Sequence, residues 1–287
     1  MYYYPNGDVI MNKNNFLKSV IIFLFLFSSA HAQDTITIGT IDSEPEEKFS
    51  KFGYIANYLQ KKLNKKNIKV NVEIPKDINT AIKLINENRL DIFVDSVYPT
   101  LIVQKKTGVS IECKRWKKGS EGYKSVIFVN KQSSINSIED LKGKTIAFED
   151  EFSTSAFYIP KKAMEKHGLV VSNKGEPNSL KYSFAGSEKN TAAWVLYKKV
   201  DAAATDDLTF ESFDKNLFNV IYKSKLVPRH LVSFSKNINY ELKKEILVIL
   251  YNMHNDQEGQ KALKAFSKTK KFSHLTSDDL DFLEEFN

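Results

Sequence analysis

From residue 34 onward, the chain alternates between a hydrophobic pattern with the period of a β-strand and one with the period of a helix. Residues 34–41 alternate apolar and polar side chains, which predicts a strand. Apolar residues then recur at helical spacing and predict an amphipathic helix; they are Phe52, Ile55, Ala56, Leu59 and Leu63. The stretches 68–74, 78–89 and 90–96 read as a strand, a helix and a buried strand.

The same rhythm returns in the second half of the chain. Predicted strands lie at 123–131, 144–150, 179–186 and 200–206, with a helix at 187–199. The segment from Tyr240 onward is helical almost throughout and ends in an acidic stretch. Strands that alternate with helices predict an α/β fold with parallel pairing and with ligand sites at the carboxyl ends of strands.

No Gly- or Ser-rich linker separates the two halves, which predicts two lobes joined by crossing strands rather than two tethered domains. We assign residues 33–125 to the first part of lobe 1 and residues 126–228 to lobe 2. Residues 229–287 are predicted to return to lobe 1 as C-terminal helices.

The first 32 residues have the organisation of a secretory signal peptide. Lys13 and Lys18 precede the apolar run 20–27, and Ala30 and Ala32 supply the small residues of a cleavage site. The apolar run is much shorter than the roughly 20 residues of a spanning helix, which disfavours a membrane anchor. Translation could begin at Met1 or at Met11. We expect export to the periplasm of a Gram-negative bacterium.

Charge and composition exclude several function classes. The formal net charge of +7 is spread over lysine-rich helix faces, which disfavours nucleic-acid binding and mildly favours a small anionic ligand. The single cysteine, Cys113, forms no internal disulfide and reads as a buried small side chain. The five histidines have no metal-ligand spacing, and neither a nucleophile elbow nor a P-loop occurs. We therefore predict no enzyme, no metal and no cofactor.

Three consecutive hydroxyl residues, Ser153, Thr154 and Ser155, stand between a predicted strand and a predicted helix. A helix N-terminus offers unpaired N–H groups and partial positive charge, so it favours a bound anion. An ordinary N-cap explains the same residues without a ligand. Pro160 is tolerated only in a first helical turn, which places the regular helix start near Ala156 or Phe157.

The region 137–169 resembles the signature of the phosphonate, phosphite and phosphate binding proteins of ABC importers, a family of type 2 periplasmic binding proteins. The likeness extends in family order over nearly the whole exported chain: "SKFGYIANYLQKKLN", "DIFVDSVYP", "EGYKSVIFVNK" and "VDAAATDD". The resemblance implies a two-lobed fold whose ligand cleft lies between the lobes. It also implies that Ser153, Thr154 and Ser155 grip the ligand's oxyanion.

Further ligand-binding candidates follow from the same comparison and from the strand ends. They are Asp95, Ser96, Tyr98, Tyr123, Glu188 and Asp206. The alternatives are core packing for the two tyrosines, helix-start electrostatics for Glu188 and a turn cap for Asp206, with Asp207 as the other candidate for its role. Arg115 or Trp116 could reach the cleft, or form a solvated basic turn.

Two of these candidates depart from the family pattern and bear on the ligand. Glu188 stands where the family commonly has a histidine, and Asp95 lies at the expected cleft. Two carboxylates facing a dianion repel it unless the ligand carries an amine or one acid is protonated. An aminophosphonate therefore fits better than bare phosphate.

The sequence thus predicts a monomeric solute-binding protein that captures a small phosphonate-like anion or zwitterion and delivers it to the membrane permease of an ABC importer. A ligand-binding sensor module that feeds a receptor kinase or cyclase is the alternative.

Overall fold

The computed structural model of the protein describes residues 35–63 and 67–286. The predicted signal peptide and the choice between Met1 and Met11 lie outside these residues. The strands are β1 Thr35–Gly39, β2 Lys69–Glu73, β3 Ile92–Asp95, β4 Ser110–Arg115, β5 Gly122–Tyr123, β6 Ser125–Asn130, β7 Thr145–Phe148, β8 Val171–Ser172, β9 Leu180–Phe184, β10 Ala202–Asp206, β11 Phe218–Lys223, β12 Val227–Pro228, β13 His230–Phe234 and β14 Phe272–Ser273. The α-helices are α1 Pro45–Lys62, α2 Ile78–Asn86, α3 Val97–Thr107, α4 Ile159–Lys166, α5 Glu188–Leu196, α6 Asp207–Phe210, α7 Tyr240–Asn252, α8 Gln257–Ala265 and α9 Ser277–Phe286.

The first sheet has the strand order β14-β4-β13-β3-β1-β2 and forms the core of one lobe. Its centre is parallel, since β1 pairs in parallel with both β2 and β3. Successive residues of β3 face opposite sides: Ile92 packs with α1 and α7, whereas Phe93 packs with α2 and α3. Helices on both faces explain why this strand reads as a continuous apolar run.

The second sheet has the order β11-β6-β10-β7-β9-β8 and forms the core of the other lobe. Here β10, β7, β9 and β8 are parallel, while β6 runs antiparallel to its neighbours β10 and β11. Phe148 packs on the side of α4, and the preceding Ala147 packs on the side of α5. The two-lobed α/β architecture agrees with the prediction, but both sheets are mixed rather than wholly parallel.

Two elements of the first lobe were missed by the hydrophobic pattern. Helix α3 is apolar around most of its circumference, so it shows no single hydrophobic stripe. Strand β4 ends in Lys114 and Arg115, two charged side chains that are buried in the fold. Charges at buried positions hide the alternation that would reveal a strand.

The chain passes between the lobes at a short antiparallel ribbon formed by β5 and β12. The two segments approach each other closely at Gly122, where a Cβ atom would lie 2.7 Å from the carbonyl oxygen of Val227. A side chain at this position would force the crossing segments apart, so glycine is required by the close approach.

The C-terminal helices pack on the first lobe, and the last one also contacts the second lobe. Helices α7 and α8 cover the first sheet through Ile246, Leu250 and Leu263. Helix α9 packs beside the crossing ribbon and against first-lobe residues, and it contacts the second lobe where the Tyr158 hydroxyl donates a hydrogen bond of 3.1 Å to the carbonyl oxygen of Phe286. Helix α9 therefore touches both lobes.

Within residues 35–63 and 67–286, no helix is both long enough and apolar enough to cross a membrane.

Candidate functional site

A cavity of about 690 Å³ lies between the two sheets. Its walls come from the residues that directly follow the parallel strands: Thr40 after β1, Asp95 at the end of β3, Glu149 after β7 and Asp206 at the end of β10. This is the position at which α/β sheets present ligands, because the carboxyl ends of parallel strands meet at one edge. The volume is in the range of small-molecule sites.

The hydroxyl triplet lines this cavity and opens a helix. Ser153 is the N-cap, and its Oγ accepts a hydrogen bond of 3.1 Å from the backbone N–H of Ala156. All three residues are at most 8% exposed. The N-cap explanation and the ligand-site hypothesis are therefore compatible: the cap fixes the turn, and the turn faces the cavity.

The first turn of this helix is wider than an α-turn, which corrects the predicted start at Ala156 or Phe157. Residues Thr154–Tyr158 form a π-turn in which the Tyr158 N–H donates to the carbonyl oxygen of Ser153 at 3.0 Å. Continuing this pattern, residue 160 would donate to Ser155, but Pro160 has no N–H. The Ser125 hydroxyl donates to the Ser155 carbonyl instead, at 2.6 Å. The turn is thus completed by a side chain from β6.

The two predicted tyrosine walls have different positions. Tyr123 lines the cavity and is 5% exposed. Burial raises the pKa of its hydroxyl, although Arg229 and the hydroxyls of Thr154 and Ser155 oppose the shift. Tyr98 does not line the cavity: its ring stacks on Tyr158 with the ring centres 4.0 Å apart. Its contribution is its backbone N–H, which donates to Thr154 Oγ1 at 2.9 Å.

On the first-lobe side, Asp95 and Ser96 line the cavity. One carboxylate oxygen of Asp95 accepts hydrogen bonds from the Thr40 hydroxyl at 2.8 Å and from the Ile41 N–H at 3.2 Å. The other accepts from the Ser96 N–H at 2.7 Å. These bonds hold the carboxylate in place at the end of β3.

On the second-lobe side, Glu188 and Asp206 form a pair of carboxyl groups that both line the cavity. The Glu188 carboxylate accepts hydrogen bonds from Thr205 at 2.8 Å and from Thr209 at 2.9 Å. Burial and the neighbouring Asp206 charge raise the pKa of Glu188. Burial also opposes ionisation of Asp206, but the Arg229 guanidinium and the bonds from Thr209 outweigh it and lower its pKa. Ionisation of Asp206 is therefore favoured over ionisation of Glu188.

A third carboxyl group, Glu149, completes this acidic side. Burial, reinforced by the charges of Glu188 and Asp150, raises the pKa of Glu149 to about 7. The helix-start and turn-cap explanations are compatible with the ligand-site prediction, because Glu188 opens α5 and Asp206 caps α6 while each also lines the cavity. Asp207, the other candidate for the role of Asp206, is not among the described lining residues.

Arg229 is the main cavity residue that sequence reasoning missed. It lies on the crossing segment between β12 and β13, and only 4% of its surface is exposed. Within the described part of the chain, its Nε and Nη1 atoms have no hydrogen-bond partner, and the nearest carboxylate oxygen, on Asp206, is 3.8 Å from Nη1. Its guanidinium lies 5.2 Å from the ring centre of Tyr123. The sequence feature that could have identified Arg229 is a charged residue within an otherwise apolar strand pattern.

The basic turn after β4 also reaches the cavity, but through other residues than those predicted. Arg115 is buried against Phe266 and donates to Thr269 Oγ1 and to the Phe266 carbonyl, both at 2.8 Å. Trp116 donates to Ser273 Oγ at 2.9 Å. Neither lines the cavity; Lys117 and Lys118 do. The turn is therefore not simply solvated.

The cavity carries more acidic than basic groups. Among the described residues, eight aspartates and glutamates line it, against five lysines and arginines. An excess of carboxyl groups disfavours a bare dianion, and it suits a ligand that also carries an amine. In the same part of the chain, no group of three or more histidine, cysteine, aspartate or glutamate residues is arranged to hold a metal ion.

Comparison with known proteins decides the family. The model of the ABC transporter, phosphonate, periplasmic substrate-binding protein family matches residues 38–280. The chain belongs to this family. The resemblance inferred from residues 137–169 is thereby confirmed, and so is the predicted class of protein, a solute-binding component of an ABC importer.

Other members of the family and its fold neighbours agree. The chain is 25% identical to the phosphonates-binding periplasmic protein of Escherichia coli K12, over 86% of this chain and 78% of that protein. XAC2383 from Xanthomonas citri, solved with ATP and with chloride, has a TM-score of 0.80 at 19% identity and covers 88% of this chain and 95% of its own. PhnD1 from Prochlorococcus marinus, solved with methylphosphonate, has a TM-score of 0.66 at 20% identity over 88% and 97%. These neighbours confirm the type 2 periplasmic binding protein fold.

Proposed function

We propose that the protein captures a phosphonate that carries an amine and delivers it, in the periplasm, to the permease of an ABC importer. The observation that supports this most directly is the pairing, in one cavity, of anion donors with a set of carboxyl groups that are buried or partly buried. The donors are the hydroxyl triplet, its helix N-terminus and Arg229. The carboxyl groups are Glu149, Glu188 and Asp206.

The phosphonate group is assigned to the donors. Helix N-termini favour anions, and Arg229 adds a guanidinium whose Nε and Nη1 have no hydrogen-bond partner in the described part of the chain. Tyr123 links the two, because its ring lies under Arg229 and its hydroxyl faces Thr154 and Ser155. A ligand oxyanion at this point completes charge-assisted hydrogen bonds of about 1.5–3 kcal/mol each.

The amine is assigned to the acidic side. An ammonium beside Glu149 and Glu188 stabilises their ionised forms, whose pKa values are otherwise raised by burial. Methylphosphonate, the ligand in the PhnD1 structure, has no amine. Because acidic groups outnumber basic ones in this cavity, we propose a ligand that carries an amine, unlike methylphosphonate.

Membership in a transporter family favours import over the sensor alternative, and the boundaries proposed for the lobes, 33–125 with 229–287 and 126–228, leave the cavity at their junction. We retain the predictions of a monomer and of no catalytic activity. The protein has a permease as its partner in this proposal.

Isothermal titration calorimetry with 2-aminoethylphosphonate, methylphosphonate, phosphite and phosphate tests the proposal. We expect micromolar or tighter binding of 2-aminoethylphosphonate and at least ten-fold weaker binding of the other three. Equal affinity for phosphate and 2-aminoethylphosphonate contradicts the amine assignment. If none of the four compounds gives a detectable binding signal, the phosphonate assignment is contradicted.

The variant Thr154→Val tests the hydroxyl triplet. It keeps the shape of the side chain but removes the hydroxyl that accepts from Tyr98 and faces the cavity. We expect affinity for 2-aminoethylphosphonate to fall at least ten-fold. Ser179→Ala is the matched control, because Ser179 is equally buried and hydrogen-bonded, to the Glu176 carbonyl, but lies outside the cavity. An unchanged affinity in Thr154→Val would contradict the assignment of the hydroxyl triplet to the ligand site.

A further inference from the structure

Two cations line the first-lobe side of the cavity, Lys117 and Arg229, and Arg115 lies behind them; the proposed phosphonate and amine positions leave Lys117 unused. Arg115 ends β4, Lys117 follows it, and Arg229 precedes β13, the strand that pairs with β4. Lys117 Nζ lies 3.3 Å from Nε2 of His230, whose Nδ1 faces the Arg229 carbonyl oxygen. His230 thus donates through Nδ1 and accepts from the Lys117 ammonium, which fixes the lysine at the cavity wall.

Two neighbouring lysines of the first lobe are paired with carboxylates. Lys48 lies 2.7 Å from Asp42, and Lys114 lies 2.7 Å from Asp279. Arg229 has Asp206 at 3.8 Å, but within the described residues no carboxylate oxygen lies within 4 Å of Lys117, which is partly buried in the cavity wall. Holding a partly buried cation without a nearby carboxylate is unfavourable, so Lys117 favours an anion beside it.

The phosphonate position assigned above satisfies Arg229 but not Lys117. Arg229 lies over Tyr123, next to the triplet that projects from the second lobe. Lys117 faces first-lobe groups, since Arg115, Lys48 and Asp95 act on its charge and it acts on Asp42. Burial, together with the charges of Arg115 and Lys48, lowers the pKa of Lys117 to about 7.

We propose that the ligand carries a second anionic group, a carboxylate or a further phosphoryl, which binds to Lys117 with Arg229 at its edge. This inference rests on the proposed function and specifies its substrate class. A phosphonate with both an ammonium and a second acid group would place one group against each wall of the cavity. The cavity of about 690 Å³ has room for such a compound.

Two matched ligand pairs test the proposal and separate the two sources of the second charge. 2-Amino-3-phosphonopropionate differs from 2-aminoethylphosphonate by one carboxylate. Methylenediphosphonate differs from methylphosphonate by one phosphoryl group. We expect the wild-type protein to bind the more highly charged member of at least one pair ten-fold or more tightly, by isothermal titration calorimetry.

Variants of Lys117 assign the preference to this residue. In Lys117→Met we expect the preference within the pair to fall below three-fold, and in Lys117→Arg, which keeps the charge, we expect it to persist. Lys106→Met is the control for net charge, because Lys106 is exposed in the last turn of α3 and outside the cavity. Lys117 is partly buried and has no carboxylate partner, so removing its charge does not cost stability and Lys117→Met is expected to melt no lower than wild type.

Each outcome bears on either the second anion position or the proposed function. No preference in either pair, or a preference that survives Lys117→Met, overturns the second anion position while leaving aminophosphonate capture intact. If the wild-type protein binds none of the four phosphonates, the proposed function fails and the second anion position fails with it. A preference that is lost in Lys117→Met and kept in Lys117→Arg and Lys106→Met supports both.

Discussion

At the scale of single residues, burial and neighbouring charges shift the pKa values of several groups that line the cavity. Glu149 shows this most clearly, because burial and neighbouring carboxylates raise its pKa to about 7. An acid whose pKa is higher in the folded state stabilises the fold fully below its unfolded pKa, near 4.5. That contribution is lost as the pH rises from about 4.5 through about 7. Ionisation of Glu149 in the ligand-free protein therefore destabilises it.

We predict that Glu149→Gln gains stability relative to wild type over this pH window. Glutamine keeps the shape of the neutral acid and removes the ionisation, so the gain is expected to grow by ~3 kcal/mol between pH 4.5 and pH 7.5. Urea unfolding at a series of pH values measures it. Glu176→Gln, at an exposed site outside the cavity, is the control. A constant difference between Glu149→Gln and wild type would show that Glu149 ionises freely.

Lys117 has the opposite dependence, because its folded pKa is lowered from 10.5 to about 7. A base with a depressed pKa contributes stability above its unfolded pKa and loses it as the pH falls through the folded value. The groups that surround it are Arg115 on β4, Lys48 on α1, Arg229 before β13, His230 at the start of β13, Asp95 on β3 and Asp42 after β1.

We therefore predict that the stability advantage of Lys117→Met over wild type is largest below pH 7 and shrinks as the pH rises from 7 to 10. The physical reason is that wild type is relieved of its buried charge over this range. Thermal melts at pH 6, 7.5 and 9 measure the advantage, with Lys106→Met as control. An advantage that increases with pH would show that the ammonium of Lys117 is well compensated.

The sequence placed most of its candidate residues at the cavity, through the strand ends and through the family resemblance. Asp95, Ser96, Glu188 and Asp206 all line the cavity, at the edge where the parallel strands end. Arg229 and Lys117 were missed because isolated charges usually mark solvent-exposed surface. Whether any of these residues binds the ligand stays a prediction.

At the scale of elements, the helix start at the hydroxyl triplet depends on a partnership between Pro160 and Ser125. Because Pro160 has no N–H, the Ser155 carbonyl is left for the Ser125 hydroxyl, which donates to it at 2.6 Å. The sequence suggested that Pro160 moves the helix start towards residue 156. The structure keeps the start at Thr154 and widens the turn. A long-range hydrogen bond from β6 permits this, and no local pattern could reveal it.

We predict that Ser125→Ala lowers the free energy of unfolding by about 1–3 kcal/mol, because it leaves a buried carbonyl unpaired. Adding Pro160→Ala is expected to recover part of that loss, since the restored N–H continues the π-turn and donates to Ser155. In Pro160→Ala alone, the Ser155 carbonyl already accepts a hydrogen bond from Ser125, so the restored N–H has no unpaired carbonyl to bind. Urea unfolding of the two single variants and the double variant gives the coupling energy. Additive effects would show that the two residues act independently.

At the scale of the whole molecule, the pattern predicted two lobes correctly but gave no sign that the last helix also reaches the second lobe. Helices α7 and α8 cover the first sheet. Helix α9 has an acidic first turn, and Asp279 in that turn is buried against Lys114. The opposite end of α9 meets Tyr158 and Lys166 of the second lobe. A single sequence gives no sign that a buried lysine and a buried aspartate 165 positions apart are partners.

Helix α9 contacts both lobes and is held to the first by the Lys114–Asp279 ion pair, which predicts how the molecule unfolds. Removing one partner of a buried ion pair leaves the other charge uncompensated. Because Lys114 keeps Glu121 at 3.1 Å, we expect Asp279→Asn to lower the free energy of unfolding by only ~2 kcal/mol. Because α9 contacts both lobes, we expect the loss to lower the unfolding midpoint of both together. Proteins that retain only Trp116, beside the first sheet, or only Trp194, on α5, report each lobe by fluorescence. Asp278→Asn, the exposed neighbour in the same turn, is expected to change either midpoint little. If Asp279→Asn shifts only the Trp116 signal, α9 belongs to the first lobe alone and does not couple the two.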